Sequence, residues 1–134
     1  MRLRGYELGD EFRVPARADF ARDFEAAGRT LPAGPKLTLV DDAGAVAGVA
    51  GFMNVGPRQW CAWAFLADLA PRQWARAGRL ARTCARWATA LLDDGCDVYA
   101  TPYDTDQARR LLAAVGFRPS PDDAGVWKFM EPRK

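Results

Sequence analysis

Arg72, Arg76, Arg79, Arg82 and Arg86 recur every three or four residues, the spacing that lines one side of a helix. A stripe of guanidinium groups is a footprint for an anion, either a phosphate-bearing small molecule or a nucleic-acid backbone. The same spacing describes the solvated face of an amphipathic helix, and Arg82 and Arg86 fit that plainer role. Arg72, Arg76 and Arg79 stand at the entry to the helix, where they can help hold phosphates. The formal net charge is only +2, and no nucleic-acid-binding motif is present, so both count against a nucleic-acid partner.

Histidine is absent, and the three cysteines, Cys61, Cys84 and Cys96, are widely spaced with no CxxC pair. That argues against a metal site and removes Ser-His and Cys-His nucleophilic machinery. Proton transfer must therefore fall to a carboxylate, tyrosine, cysteine, lysine or water. Cys61 and Cys96 have no basic neighbour that would make them nucleophiles. Of the five tryptophans, Trp60, Trp63, Trp87 and Trp127 read as core anchors, with Trp87 facing inward on its helix. Trp74 could instead be exposed, cover a cleft or mark a partner surface.

These residues must be positioned by secondary structure. Residues 9–14 suggest a short first strand around Phe12 and Val14. Ala18 to Ala27 reads as a helix with Phe20 and Phe24 one turn apart and Gly28 as its stop signal. Leu37–Val40 and Ala45–Met53 form a hairpin through the turn residues Asp41-Asp42-Ala43-Gly44. Gln59 to Leu69 alternates poorly with polar residues, which predicts a central strand covered on both faces and ended by Pro71. Gly78 to Leu92 is an amphipathic helix with Leu80, Cys84, Trp87, Ala88 and Leu91 on one arc.

Asp97–Ala100 is a short strand. Asp104 to Val115 is a further helix, with Asp104 and Gln107 placed as a capping-box-like pair and Gly116 as its left-handed terminator. A final hairpin runs from Phe117 to Met130. Strand pairs followed by strand–helix–strand–helix–strand predict an α/β (α+β) fold, a mixed sheet flanked by helices.

The length of 134 residues, the 49% hydrophobic and the 27% charged fractions fit one globular domain over residues 1–134. No apolar run approaches the roughly 20 residues that span a bilayer, and the start has no signal-peptide core. The expectation is a cytoplasmic protein of a bacterial host with no membrane partner.

The segment from Asp104 to Gly116-Phe117 resembles the last helix of the GNAT N-acetyltransferases, which ends in a Gly-Phe pair entering the final strands. The resemblance covers about residues 36–130 and implies a GNAT-like domain that uses acetyl-CoA. Between the central strand and the long helix, that family carries a Q/R-x-x-G-x-G/A loop for the pyrophosphate. This chain offers Gln73-Trp74-Ala75-Arg76-Ala77-Gly78: Gln73 and Gly78 match, and Arg76 stands where the first glycine is expected. The resemblance implies cofactor contacts from Leu69, Gln73, Arg76, Ala77, Gly78 and Arg79, with backbone N–H groups near Leu69 polarising the thioester carbonyl.

Where many members have a tyrosine acid in the last helix, this chain has Leu112, and Thr105 replaces a frequent asparagine. Tyr103 is the nearest substitute for the acid; its plainer role is a packed loop aromatic. Asp68 is placed to act as general base for the amine; its plainer role is a solvated strand-end carboxylate. Length, the Arg17-Ala18-Asp19 helix opening and the Trp63 strand are also similar to acetyltransferase-like proteins of tailed phages and prophages.

Two functions follow as expectations. One is an N-acetyltransferase moving acetyl from acetyl-CoA to an amine acceptor. The alternative is an inactive, phage- or prophage-encoded binding or structural protein on the same scaffold, acting through a protein partner. Arg76 and Leu112 favour the alternative.

Overall fold

The computed structural model describes residues 2–15, 18–67, 72–73, 78–101, 106–122 and 125–130; of residues 18–20, 78–79 and 107 it gives the backbone course alone. Its strands are β1 (Arg2–Gly5), β2 (Lys36–Val40), β3 (Val46–Gly56), β4 (Gln59–Leu66), β5 (Asp97–Ala100), β6 (Phe117–Pro119) and β7 (Trp127–Phe129). The helices are α1 (Ala18–Ala26), α2 (Gly78–Asp93) and α3 (Asp106–Val115). They make a mixed sheet in the order β1-β2-β3-β4-β5-β7-β6. The pair β4–β5 is parallel, whereas β1–β2, β2–β3, β5–β7 and β6–β7 are antiparallel.

Internal packing divides the chain into two units, residues 1–53 with 63–77, and residues 54–62 with 78–134; β3 and β4 run through both. In the first unit the pleat of β2 and β3 buries Leu37, Leu39, Val49 and Phe52. Phe24 of α1 meets Phe65 of β4 with ring centroids 4.9 Å apart, and Phe12 stacks on Phe24 at 5.9 Å. In the second unit Leu80 and Ala88 of α2, Val98 and Ala100 of β5, and Val115 of α3 are buried with Phe117 and Phe129. The last two rings meet edge-on at 5.5 Å.

Residues 9–14 are not a strand. Asp10–Arg13 form a 3₁₀ turn, entered through Gly9 at φ 94°; the first strand is β1, upstream. The alternation around Phe12 and Val14 mimicked a strand, but Asp10 turns inward instead because Arg4 and Thr38 are there to satisfy it. The central strand also differs from expectation. The strand runs through Leu66, and the Ala67 N–H still donates to the Ala47 carbonyl at 2.8 Å; its expected end at Leu69 lies outside the described residues, while Trp60 to Ala64 are half-buried, with full burial only from Phe65 to Ala67. Large indole rings bury most of their surface while leaving an edge accessible, so an apolar run need not mean two covered faces.

The helices follow the expected signals. Gly116 ends α3 at φ 123°, and its N–H donates to the Leu112 carbonyl at 3.1 Å. A Cβ there would come within 2.9 Å of the Phe129 ring, so both the dihedral and the space require glycine. Asp104 and Thr105, at the expected start of this helix, lie outside the described residues, as do Pro71 and Trp74. Among the described residues, no helix is long and apolar enough to cross a membrane.

Candidate functional site

The relevant geometry begins with β4. Its register against β5 consists of Gln59↔Asp97, Trp60↔Val98 and Cys61↔Tyr99. β4 then continues through Ala62–Leu66, beyond its last rung with β5 among the described residues. Backbone N–H and C=O groups are obligatory hydrogen-bonding groups, and this stretch of β4 extends past the rungs that β5 supplies.

The arginine-bearing helix is α2. Gly78 is its first residue, and its first turn contains no acidic side chain. The N-terminus of a sixteen-residue helix presents unsatisfied N–H groups and a positive dipole end. Arg82 and Arg86 are exposed, and the Arg86 guanidinium donates to the Thr83 hydroxyl at 3.2 Å. Arg72 is exposed and Gln73 half-buried in a short helical stretch before α2.

Of the residues expected at the site, Gln73 is described, and Gly78 and Arg79 are placed by their backbone. Asp68, Leu69, Arg76, Ala77 and Tyr103 lie outside the described residues. Trp63, on the later half of β4, packs against Gly51: a Cβ at Gly51 would meet its ring at 3.0 Å. Its indole N–H is buried with no hydrogen-bond partner among the described residues.

Two cysteines have thiols raised by burial. The Cys84 thiol is pushed up to about 11, and Cys61 is raised for the same reason. Buried, protonated thiols are poor nucleophiles.

An aminoglycoside 6′-acetyltransferase of type Ii matches with a TM-score of 0.63 at 14% identity, covering 100% of both chains. A GCN5-related N-acetyltransferase from Kribbella flavida matches at 0.56 and 19% identity, over 95% of this chain and 93% of that one. This chain has the GNAT fold. A GNAT-family N-acetyltransferase from Escherichia coli, solved in complex with CoA, matches at 0.55 and 13% identity, over 95% of this chain and 78% of that one. No family model and no curated protein matches the sequence.

The sequence did not single out a polar group on β5 and β7. Lys128 Nζ lies 3.4 Å from an Asp97 carboxylate oxygen and 5.9 Å from the centre of the Tyr99 ring. The Tyr99 hydroxyl donates to the other Asp97 oxygen at 3.4 Å. The one available signal was the alternation of Asp97 and Tyr99 with the apolar Val98 and Ala100, which puts the two polar side chains on one face.

Proposed function

We infer that the protein is an N-acyltransferase that moves an acetyl group from acetyl-CoA to an amine. The observation that carries this reading is the pairing of β4 with β5, which among the described residues has three rungs, beyond which β4 runs on. Such an edge suits an amide-containing arm lying alongside it, and the acid-free start of α2 suits the phosphates of the same molecule. Acetyl-CoA has both parts. The fold shared with N-acetyltransferases, one of them holding CoA, supports the same reading.

In this proposal the backbone N–H groups of Ala77 and Gly78 and the side chains of Gln73, Arg76 and Arg79 hold the pyrophosphate. Arg76 replaces close backbone approach by a charged contact. The backbone N–H near Leu69 polarises the thioester carbonyl. Asp68 accepts a proton from the incoming amine, directly or through water. The amine nitrogen forms the new C–N bond as the C–S bond breaks, and Tyr103 supplies the proton that leaves with the CoA thiol. Acetyl-CoA contributes the activated acyl group and nothing else. The protein acts in the cytoplasm, where this donor is made.

Calorimetric titration of the protein with acetyl-CoA and CoA tests the reading, with Gly78→Trp as the blocked control. Micromolar binding that the substitution abolishes, in a variant whose circular dichroism is unchanged, supports it. No heat at millimolar ligand would overturn it and leave a binding protein on an acetyltransferase scaffold.

A further inference from the structure

On α1 and α3 the arginines are interleaved with acids. Glu25 of α1 stands 3.6 Å from Arg29, and Asp106 of α3 stands 3.0 Å from Arg109. The stripe on α2 has no such answer. Among the described residues neither Arg82 nor Arg86 has a carboxylate partner. The sequence explains why: Asp93, at the last position of α2, is the first acid the helix carries. It lies about 10 Å along the axis beyond Arg86.

A helix face that meets solvent alone is commonly laced with opposite charges three or four residues apart, because such pairs stabilise it. This face repeats one sign. Arg82 and Arg86 are exposed, one turn apart, and point away from the buried Leu80 and Ala88. Arg79, placed in the first turn by its backbone course, continues the stripe to the start of the helix. Like charges at this spacing repel, and the positive end of the helix dipole disfavours cations beside it. An anion lying on the face relieves both penalties.

Reach supplies the second half of the argument. Along the axis, Arg82 stands about 6 Å and Arg86 about 12 Å from Gly78. Helical side chains lean toward the N-terminus. Arg86 shows this directly, since its guanidinium donates to the Thr83 hydroxyl, one turn back, at 3.2 Å. With the same lean, Arg82 brings its guanidinium to the first turn of α2, where the donor's pyrophosphate is placed above. Acetyl-CoA carries a third phosphate, on the 3′ oxygen of its ribose, and the contacts given above leave that group without a partner. Asp93 and Asp94, both exposed, close the far end of the stripe, which suits one phosphate group better than a polynucleotide backbone.

We propose that Arg82, supported by Arg86, holds the 3′-phosphate of CoA, so that α2 distinguishes the donor from its 3′-dephospho form. The inference rests on the acyltransferase reading. Arg82 takes the phosphate oxygens through charge-assisted hydrogen bonds. Arg86, one turn further on, adds its field more than a contact.

The test is calorimetric titration of the full chain with CoA and with 3′-dephospho-CoA. CoA is expected to bind about tenfold or more tightly, the size of one hydrogen-bonded charge contact. Arg82→Gln should remove most of that gap by weakening CoA while leaving dephospho-CoA unchanged, which also shows that the variant is folded. Arg82→Lys should restore part of the gap, and Arg86→Gln should narrow it less. Arg110→Gln deletes an exposed charge from α3 and should leave it intact. Equal affinity for the two ligands overturns the proposal while the acyltransferase reading stands. So does a gap that survives when Arg82→Gln and Arg86→Gln are combined, or a loss that Arg110→Gln reproduces. If neither ligand binds at millimolar concentration, the acyltransferase reading falls and this proposal falls with it.

Discussion

The guanidinium of Arg4 grips the carboxylate of Asp10 through two hydrogen bonds, at 2.8 and 2.9 Å. Asp10 is 1% exposed, and it also accepts from the Thr38 hydroxyl at 2.7 Å and from the Glu7 N–H at 2.9 Å. Arg4 and Thr38 are direct partners on β1 and β2, so one carboxylate ties the 3₁₀ turn to two strands. Alongside it, the Tyr6 hydroxyl is 2.7 Å from both oxygens of the buried Glu11, and burial first, then Glu11, raises the Tyr6 phenol.

Replacing Asp10 by Ala strands the Thr38 hydroxyl and the Glu7 amide, and a loss of about 2–4 kcal/mol is expected for breaking a buried, hydrogen-bonded charge. Urea denaturation measures it. The Arg4 hydrogen bonds hold the Asp10 carboxyl well below the usual carboxylate range despite burial, which opposes them. A depressed native pKa stabilises the fold above the unfolded value, near pH 4, and that contribution is lost as pH falls below it. The stability difference between wild type and Asp10→Asn should therefore narrow below about pH 4 and stay constant above pH 6.

Gly116→Ala is expected to cost about 2 kcal/mol or more, since a β-carbon adds left-handed strain to the contact with the Phe129 ring. Gly44→Ala serves as the comparison: it also has positive φ, at 85°, but nothing lies within 4 Å of a Cβ there. Thermal unfolding should rank Gly116→Ala as the more damaging of the two.

Arg58 adopts φ 56° in the turn between β3 and β4, where its carbonyl accepts the Asp97 N–H at 2.8 Å. Arg58→Gly keeps that hydrogen bond and removes the left-handed penalty. A gain of up to about 1 kcal/mol is expected, because the strain relieved slightly exceeds the entropy that glycine adds to the unfolded chain. Arg58→Val should lose stability in the same assay.

Cys84 should resist iodoacetamide at pH 8 in the native protein, because burial pushes its thiol up to about 11 and only the thiolate is the nucleophile. Mass mapping after labelling in urea should show it modified. Ready native labelling of Cys84 would contradict the packing of α2.

The helices and the final hairpin were legible because their signals are local. An apolar arc marks α2, and a glycine followed by phenylalanine marks the end of α3. The 3₁₀ turn was not legible. What pulls Asp10 inward includes Thr38, far along the chain, and nothing near Phe12 announces it. Trp60 and Trp63 correctly indicated a strand but not its half-open burial. The group of Asp97, Tyr99 and Lys128 was hidden for another reason: it depends on β7 lying beside β5, which residue spacing within any one strand cannot encode.

The strand order has one more consequence. β1 and β6 are the outermost strands, and an exposed edge invites another chain to continue the sheet. β6 is three residues long and includes Pro119, which lacks an amide proton to offer. β1 is four residues long and begins with the exposed Arg2, where an identical copy would have to bring its own positive charge alongside. Both margins thus discourage strand-to-strand association between copies, which helps keep newly made chains from aggregating at high concentration.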